Sequence, residues 1–222
     1  MKVLETALAD VLIIEPDVFG DTRGHFMETY QKERYVSLGI ESEFVQDNLS
    51  FSTSGTLRGL HYQLPNAQAK LVQVLQGEVF DVAVDIRRGS PSFGRWVGVN
   101  LSEQNRRQVY IPVGFAHGFC VVSDTAVFSY KCSAFYDPDS EGGILWSDPG
   151  LGIGWPLKNV VLSDKDRHYA CLKDTPTERL PLWEVKSYEL LQRKEVHNPG
   201  RPGSFYASTP LTELAVDLPS DL

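Results

Sequence analysis

From residue 70 to residue 131 the chain is a succession of short runs of alternating apolar residues, broken at brief intervals by glycine and proline. That pattern favours strands and leaves little room for helices. Phe80, Val82, Val84 and Ile86 alternate with Val79, Asp81, Ala83 and Asp85, the period of two expected of a strand buried on one face. The run from Lys70 to Gln76 stops at Gly77, which suits a turn into that strand. Residues 96–101, 108–111, 118–122 and 126–131 continue the series. Turn residues separate them at Arg88-Gly89-Ser90-Pro91, at Pro112-Val113-Gly114 and across 137–143. Many short strands with this punctuation predict a sandwich or barrel. Helix is expected only over Lys32 to Leu38, closed by Gly39, and as turns or a short helix within 176–193, around 182–191. The division expected is one β domain over 1–185 and a C-terminal extension over 186–222. The extension begins with a helical turn and, from about 195, becomes a loosely ordered Pro/Gly/Ser-rich tail.

At 222 residues the chain can build one sizeable core. A net charge of −8 leaves no basic footprint for nucleic acid. No run reaches the roughly 20 apolar residues of a membrane span. The N-terminus carries Glu5, Asp10 and Glu15 where a signal peptide needs an unbroken apolar stretch. Cys120, Cys132 and Cys171 form no C-x-x-C pair and read as buried free thiols. A soluble cytoplasmic protein with neither nucleic-acid nor membrane partners is expected.

His61 and Gln63 share a strand face, and with Lys70 and His117 they fall where a small barrel often gathers metal ligands. Lys70 would place an ammonium there, and a cation repels a cation. Chemistry without a metal or other cofactor is therefore expected, with proton transfer foremost. Taken singly, His61 is equally a packed core histidine, Lys70 a strand-edge gatekeeper and Tyr130 a core aromatic. Taken together, they are two imidazoles, an ammonium and a phenol directed into one lumen, costly to bury without a purpose. His61 suits a general base, because its unperturbed pKa of about 6.5 lies near working pH. Lys70 suits the stabilisation of an enolate oxygen, and Tyr130 the return of a proton from the opposite face. A carboxylate would orient the imidazole. Asp166 is a candidate, although its sequence position reads equally as a surface turn.

Nearer the N-terminus, Arg23, Phe26 and Glu28, with Gln46 and Asn48 on one strand face, supply what a nucleotide handle uses. A solvated loop is the bland alternative. Arg58 is a second phosphate ligand by type, but strict alternation puts it opposite His61. Either a bulge at Gly59 re-aims it, or it serves from the rim or from another subunit.

The ordered motifs are Arg23-Gly24-x-Phe26-x-Glu28, Gln46-x-Asn48, Arg58-Gly59-Leu60-His61-Tyr62-Gln63 and Gln68-Ala69-Lys70. They are followed by the run from Gly77 to Arg87, Ile111-Pro112-x-Gly114-Phe115-Ala116-His117, Tyr130-Lys131-Cys132 and Leu162-Ser163-x-Lys165-Asp166. Together they resemble the dTDP-4-dehydrorhamnose 3,5-epimerase family of metal-free cupins. The resemblance runs from about Leu4 to Trp183 and implies an all-β, cupin-type double-stranded β-helix (jelly-roll) barrel with a few short helices. It implies an isomerase that inverts C3 and C5 of dTDP-4-dehydro-6-deoxy-glucose. His61 would be the base, held by Asp166, Lys70 the enolate stabiliser, Tyr130 the acid, and His117 part of the sugar pocket. Arg23 and Arg58 would bind diphosphate, and Phe26, Glu28, Gln46 and Asn48 the thymidine end. A homodimer exchanging N-terminal strands is also implied. The absence of a Rossmann Gly-rich fingerprint agrees with chemistry free of a redox cofactor. The extension beyond about 185 is longer than the family leads one to expect. Other readings are a 3-only or 5-only epimerase, a metal-dependent cupin enzyme, and a non-catalytic sugar-nucleotide binding module.

Overall fold

The computed structural model describes residues 1–183. The expected division at residue 185, the tail from about 195 and all but the start of the helix or turns around 182–191 lie outside the described residues. Two antiparallel sheets enclose the core. One runs in the order β1 (Lys2–Glu5), β2 (Leu12–Glu15), β10 (Gln108–Ile111), β7 (Lys70–Gln76), β12 (Thr125–Cys132) and β5 (Gln46–Thr53). The other runs β13 (Glu141–Gly143), β6 (Leu57–Gln63), β11 (Phe115–Val121), β8 (Glu78–Asp85) and β9 (Trp96–Ser102). Strands far apart in sequence are neighbours, and the chain passes back and forth between the sheets, as in a jelly roll. A separate two-stranded hairpin joins β3 (Val18–Asp21) to β4 (Gly24–Met27).

Strand alternation divides each segment between two environments. Val72 and Val74 of β7, Val79 of β8, Phe119 and Val121 of β11 and Phe128 of β12 all point into one buried cluster. Phe119 and Phe128 stack there with centroids 4.1 Å apart. Other positions in the same inward rows are polar: Lys70 on β7, Asp81 on β8, His117 on β11 and Tyr130 on β12. The lumen is therefore apolar in one half and titratable in the other.

β8 is not half buried; its whole length from Val79 to Asp85 lies inside except for the partly covered Phe80. The chain after Gly143 folds back over its outer face, packing Leu151 and Leu172 with Trp155 against Val82, Val84 and Ile86. Asp81 and Asp85, on the face read as the polar one, are 2% and 0% exposed. Burial of an unpaired carboxylate is costly. Asp85 is satisfied by Arg87, Ser90 and Ser92. β11 also begins at Phe115, three residues before the strand read from sequence, and so includes His117.

Helices are few. α1 (Lys32–Ser37) starts where the Gln31 side chain accepts the Arg34 N–H, and its chain turns off at Gly39 with φ of +89°. Its one buried residue, Tyr35, covers the outer face of the six-stranded sheet with Ile14, Ile40 and Leu71. α2 (Asp164–Arg167) is a single turn capped by Ser163.

Phe128 is 1% exposed and touches both the apolar core and the polar half. Phe128→Ala is expected to lower unfolding free energy by about 3–5 kcal/mol, read from the midpoint of a urea titration. A loss under about 1 kcal/mol would mean that the cluster does not hold the sheets together.

Candidate active site

His61 lies on the inward face of β6 and Asp166 on α2, 105 residues later, yet His61 Nε2 and Asp166 Oδ1 are 2.6 Å apart. Two backbone bonds bring them together. The Leu57 N–H donates to the Val161 carbonyl at 2.9 Å, and the Val161 N–H donates to the Gly55 carbonyl at 2.8 Å. These fasten the C-terminal segment to the start of β6, and the Ser163 cap then turns Asp166 inward. Asp166 is 3% exposed. Burial alone would raise its pKa, but the His61 hydrogen bond and charge, the Ser163 hydroxyl and the Gly59 N–H together hold it below the usual aspartate value. An ionised carboxylate only accepts, so Nε2 carries the hydrogen of this pair and Nδ1 is the nitrogen left for other work.

His61 opens on a cavity of about 300 Å³ lined from both sheets, by Lys70, Tyr130, Gln46 and Asn48 on one side and Gln63 and Glu141 on the other. Burial pulls the Lys70 amine below the ordinary lysine value, against the attraction of Cys132, Asp81 and Glu141. Burial likewise raises the Tyr130 phenol, with Cys132 and Glu141 adding to it and Arg58 opposing. His117, 6% exposed, is the register partner of His61 across β6 and β11 and bonds Asp81 Oδ2 through Nε2 at 2.8 Å. Its imidazole sits below the ordinary histidine value, chiefly because it is buried; Asp81 counteracts this, while Lys70 and His61 reinforce it. Among the described residues, no three or more His, Cys, Asp or Glu side chains are grouped to hold a metal ion.

The remaining expected site residues divide. Gln46 and Asn48 share the cavity face, with Gln46 Nε2 donating to Asn48 Oδ1 at 2.9 Å. The bulge that would re-aim Arg58 is present: His117 pairs with His61, but Phe119 pairs with Arg58, so β6 spends one extra residue there. Gly59, with φ of +130°, permits it, since a Cβ would stand 2.5 Å from the Gly118 Cα. Arg58 Nε consequently reaches Ser52 Oγ on β5 at 3.1 Å, and its charge is felt at Tyr130. Arg23 and Phe26 lie elsewhere, on the exposed β3–β4 hairpin, where Arg23 bonds Asp21. Glu28 pairs with Arg34 at 3.0 Å. Gln63 is spent on structure, bonding the Asn66 carbonyl and the Asp137 N–H.

Sequence reasoning missed Asp81 as the partner of His117, and also missed Glu141 and Tyr136. The signal for Asp81 was an acid in a strand apolar on both faces. Glu141 belongs to a three-residue strand inside what reads as a turn, and it holds the Tyr136 hydroxyl at 3.2 Å and Lys165 at 2.7 Å.

A jelly-roll barrel whose mouth gathers a carboxylate-held histidine, an amine and a phenol is a cupin-like fold built around acid–base chemistry. Residues 5–174 match the family model for dTDP-4-dehydrorhamnose 3,5-epimerase, and the chain belongs to that family. The dTDP-4-dehydrorhamnose 3,5-epimerase of Shigella flexneri is 62% identical over 168 residues, 75% of this chain and 93% of that protein. The crystal structure of the Legionella pneumophila epimerase with dTDP-4-keto-L-rhamnose superposes with a TM-score of 0.82 at 53% identity, covering 83% of this chain and 99% of that one. A 3'-monoepimerase from Streptomyces bikiniensis, in complex with dTDP-quinovose, is 31% identical with a TM-score of 0.75, covering 86% of this chain and 96% of its own.

The depressed His117 pKa has a consequence for stability. Unfolded histidine titrates near pH 6.5, above the folded value, so below that point the unfolded chain binds more protons. The His117 contribution is therefore complete above about pH 6.5 and is lost as pH falls toward the folded value. Asp166 adds a second loss at lower pH, below the usual aspartate range near 3.8. Urea midpoints measured from about pH 8 down to about pH 4 should begin to fall near 6.5, and His117→Gln should remove that first decline. An identical decline in the variant would assign it to another group.

Proposed function

We propose that this chain epimerises a dTDP-4-keto-6-deoxy sugar at C3 and C5, converting dTDP-4-dehydro-6-deoxy-glucose into dTDP-4-dehydro-rhamnose without a metal or redox cofactor. The observation that carries the reading is the 2.6 Å contact between His61 and Asp166 at the edge of a cavity that also holds Lys70 and Tyr130. Both carbons neighbour the C4 ketone, so one base and one oxyanion site serve each in turn. His61 removes the proton through Nδ1, and Asp166, ionised at neutral pH, stabilises the resulting imidazolium. The Lys70 ammonium faces the enolate oxygen, where a fixed charge in a water-poor site has its largest effect. Tyr130 returns a proton to the opposite face; its raised pKa keeps the phenol protonated at neutral pH, the state an acid requires. His117, held by Asp81, lines the sugar end. Gln46, Asn48, Phe26 and Glu28 receive the thymidine, and Arg58 and Arg23 the diphosphate.

The same reading makes the protein a homodimer that exchanges its N-terminal strands. Phe19 and Phe26 on the hairpin are 66% and 69% exposed, a costly arrangement for a lone chain. Arg23 is not among the residues that line its own chain's cavity, so a neighbour's is the site it would serve. A cytoplasmic location is supported by three unpaired cysteines. No described helix is long and apolar enough to cross a membrane.

A proton NMR time course in D₂O with the dTDP-4-keto-6-deoxy sugar reports each carbon separately. Solvent deuterium should enter at both positions, and His61→Asn should abolish both exchanges while leaving dTDP affinity unchanged. Exchange at the normal rate in that variant would remove His61 from its role. Tyr130→Phe should slow inversion more than exchange, and Lys70→Ala should cost on the order of 10²–10³ in rate.

Mixing His61→Asn with Arg23→Ala chains tests the exchange. Each hybrid dimer has one pocket with both residues intact, so activity should return on mixing. No recovery, with mixed dimers verified by mass, would place Arg23 in its own chain's pocket or in none.

A further inference from the structure

We propose that Tyr169 is a positioning residue for His61: its ring, seated on the bare backbone of Gly143, fixes the plane in which the imidazole meets the substrate. The inference rests on the reading of His61 as the base. The Asp166 bond pins only one nitrogen and leaves the ring free to swing about that contact. Something must hold its face, because proton transfer tolerates little angular error.

On β13, Gly143 is the register partner of His61, the place where a side chain would lie beside the imidazole across the strands. Glycine leaves that place empty, and Tyr169 fills it from outside the sheet. A Cβ at Gly143 would stand 2.3, 2.3 and 2.5 Å from three Tyr169 ring carbons, so the ring rests directly over this backbone. Its centroid lies 5.9 Å from that of His61, with the planes at 71°, an edge-to-face contact. The segment is anchored on both sides. The Leu145 N–H donates to the Ala170 carbonyl at 2.9 Å, and three residues before Tyr169 stands Asp166, already bonded to His61. One short stretch thus grips the imidazole twice, at an atom and at a face.

The Tyr169 hydroxyl is buried with no hydrogen-bond partner among the described residues. An unpaired buried hydroxyl destabilises, so the ring, rather than its oxygen, is the part that acts. This separates the two halves of the side chain experimentally.

Tyr169→Ala is expected to lower kcat on the order of 10²-fold while KM stays within about twofold, because the sugar nucleotide is held by other groups. Tyr169→Phe keeps the ring and should restore wild-type kcat with a higher Tm. Gly143→Ala should mimic the loss by lifting the ring, and the same methyl added to Tyr169→Ala should cost almost nothing further. Wild-type kcat in Tyr169→Ala, a fall confined to KM, or equal losses in Tyr169→Phe and Tyr169→Ala would each overturn the inference. Should Tyr169→Ala fail to fold, Gly143→Ala decides, and a wild-type rate there overturns it. His61→Asn in the same assay keeps the two readings apart. If it stays active, the base assignment falls; if it is dead while Tyr169→Ala is normal, only the role of Tyr169 falls.

Discussion

The contact between His61 and Asp166 joins two parts of the fold that stand 105 residues apart in sequence. One partner belongs to a barrel strand, the other to a single helical turn beyond the last described strand. Burial of an ionised carboxylate is tolerated there because β6 meets it with the His61 imidazole and the Gly59 N–H, and its own turn adds the Ser163 hydroxyl. The backbone staple between Leu57 and Val161 is in turn what makes that meeting possible. Remove it, and Asp166 is the surface-turn acid that its local sequence suggests.

The polar half of the lumen follows the same economy. His117 has Asp81, Glu141 has Lys165 and the Tyr136 hydroxyl, and Gln46 has Asn48. Lys70 differs: among the described residues no carboxylate lies within ion-pair distance of its ammonium. A partly buried cation held only by more distant charges favours any anion that forms within reach, which is the requirement for stabilising an enolate. The apolar half supplies the rigidity, since stacked Phe119 and Phe128 sit directly beneath these groups and lock the rows that carry them.

Legibility in the sequence tracked the range of the forces involved. β7 and β10 were readable residue for residue, because alternation and turn chemistry are local. His61, Lys70 and Tyr130 were readable as a set, because inward rows follow from parity once the strands are known. The faces of β8 were misread because alternation identifies two faces but not what covers the outer one. That cover comes from Leu151, Trp155 and Leu172, residues with no periodic signature. Asp166 was a candidate by residue type that only the resemblance placed beside His61, and Asp81 and Glu141 were missed. Their partners are decided by register and by a chain reversal that no window of neighbouring residues contains. Arg58 was legible only as a choice; a bulge at Gly59 is present and brings its guanidinium to Ser52, while the side chain stays exposed and outside the cavity lining.

Asp166 follows every described strand, so the partner of His61 is added to the chain after the barrel that encloses it. A ribosome releases the chain from the N-terminus, so the thirteen strands of the described residues can emerge, pair and enclose the lumen while the carboxylate is still in the exit tunnel or unsynthesised. Such a nascent barrel can form its cavity, yet His61 still lacks the carboxylate that bonds it. The enclosure of the cavity thus precedes the arrival of the carboxylate that meets His61.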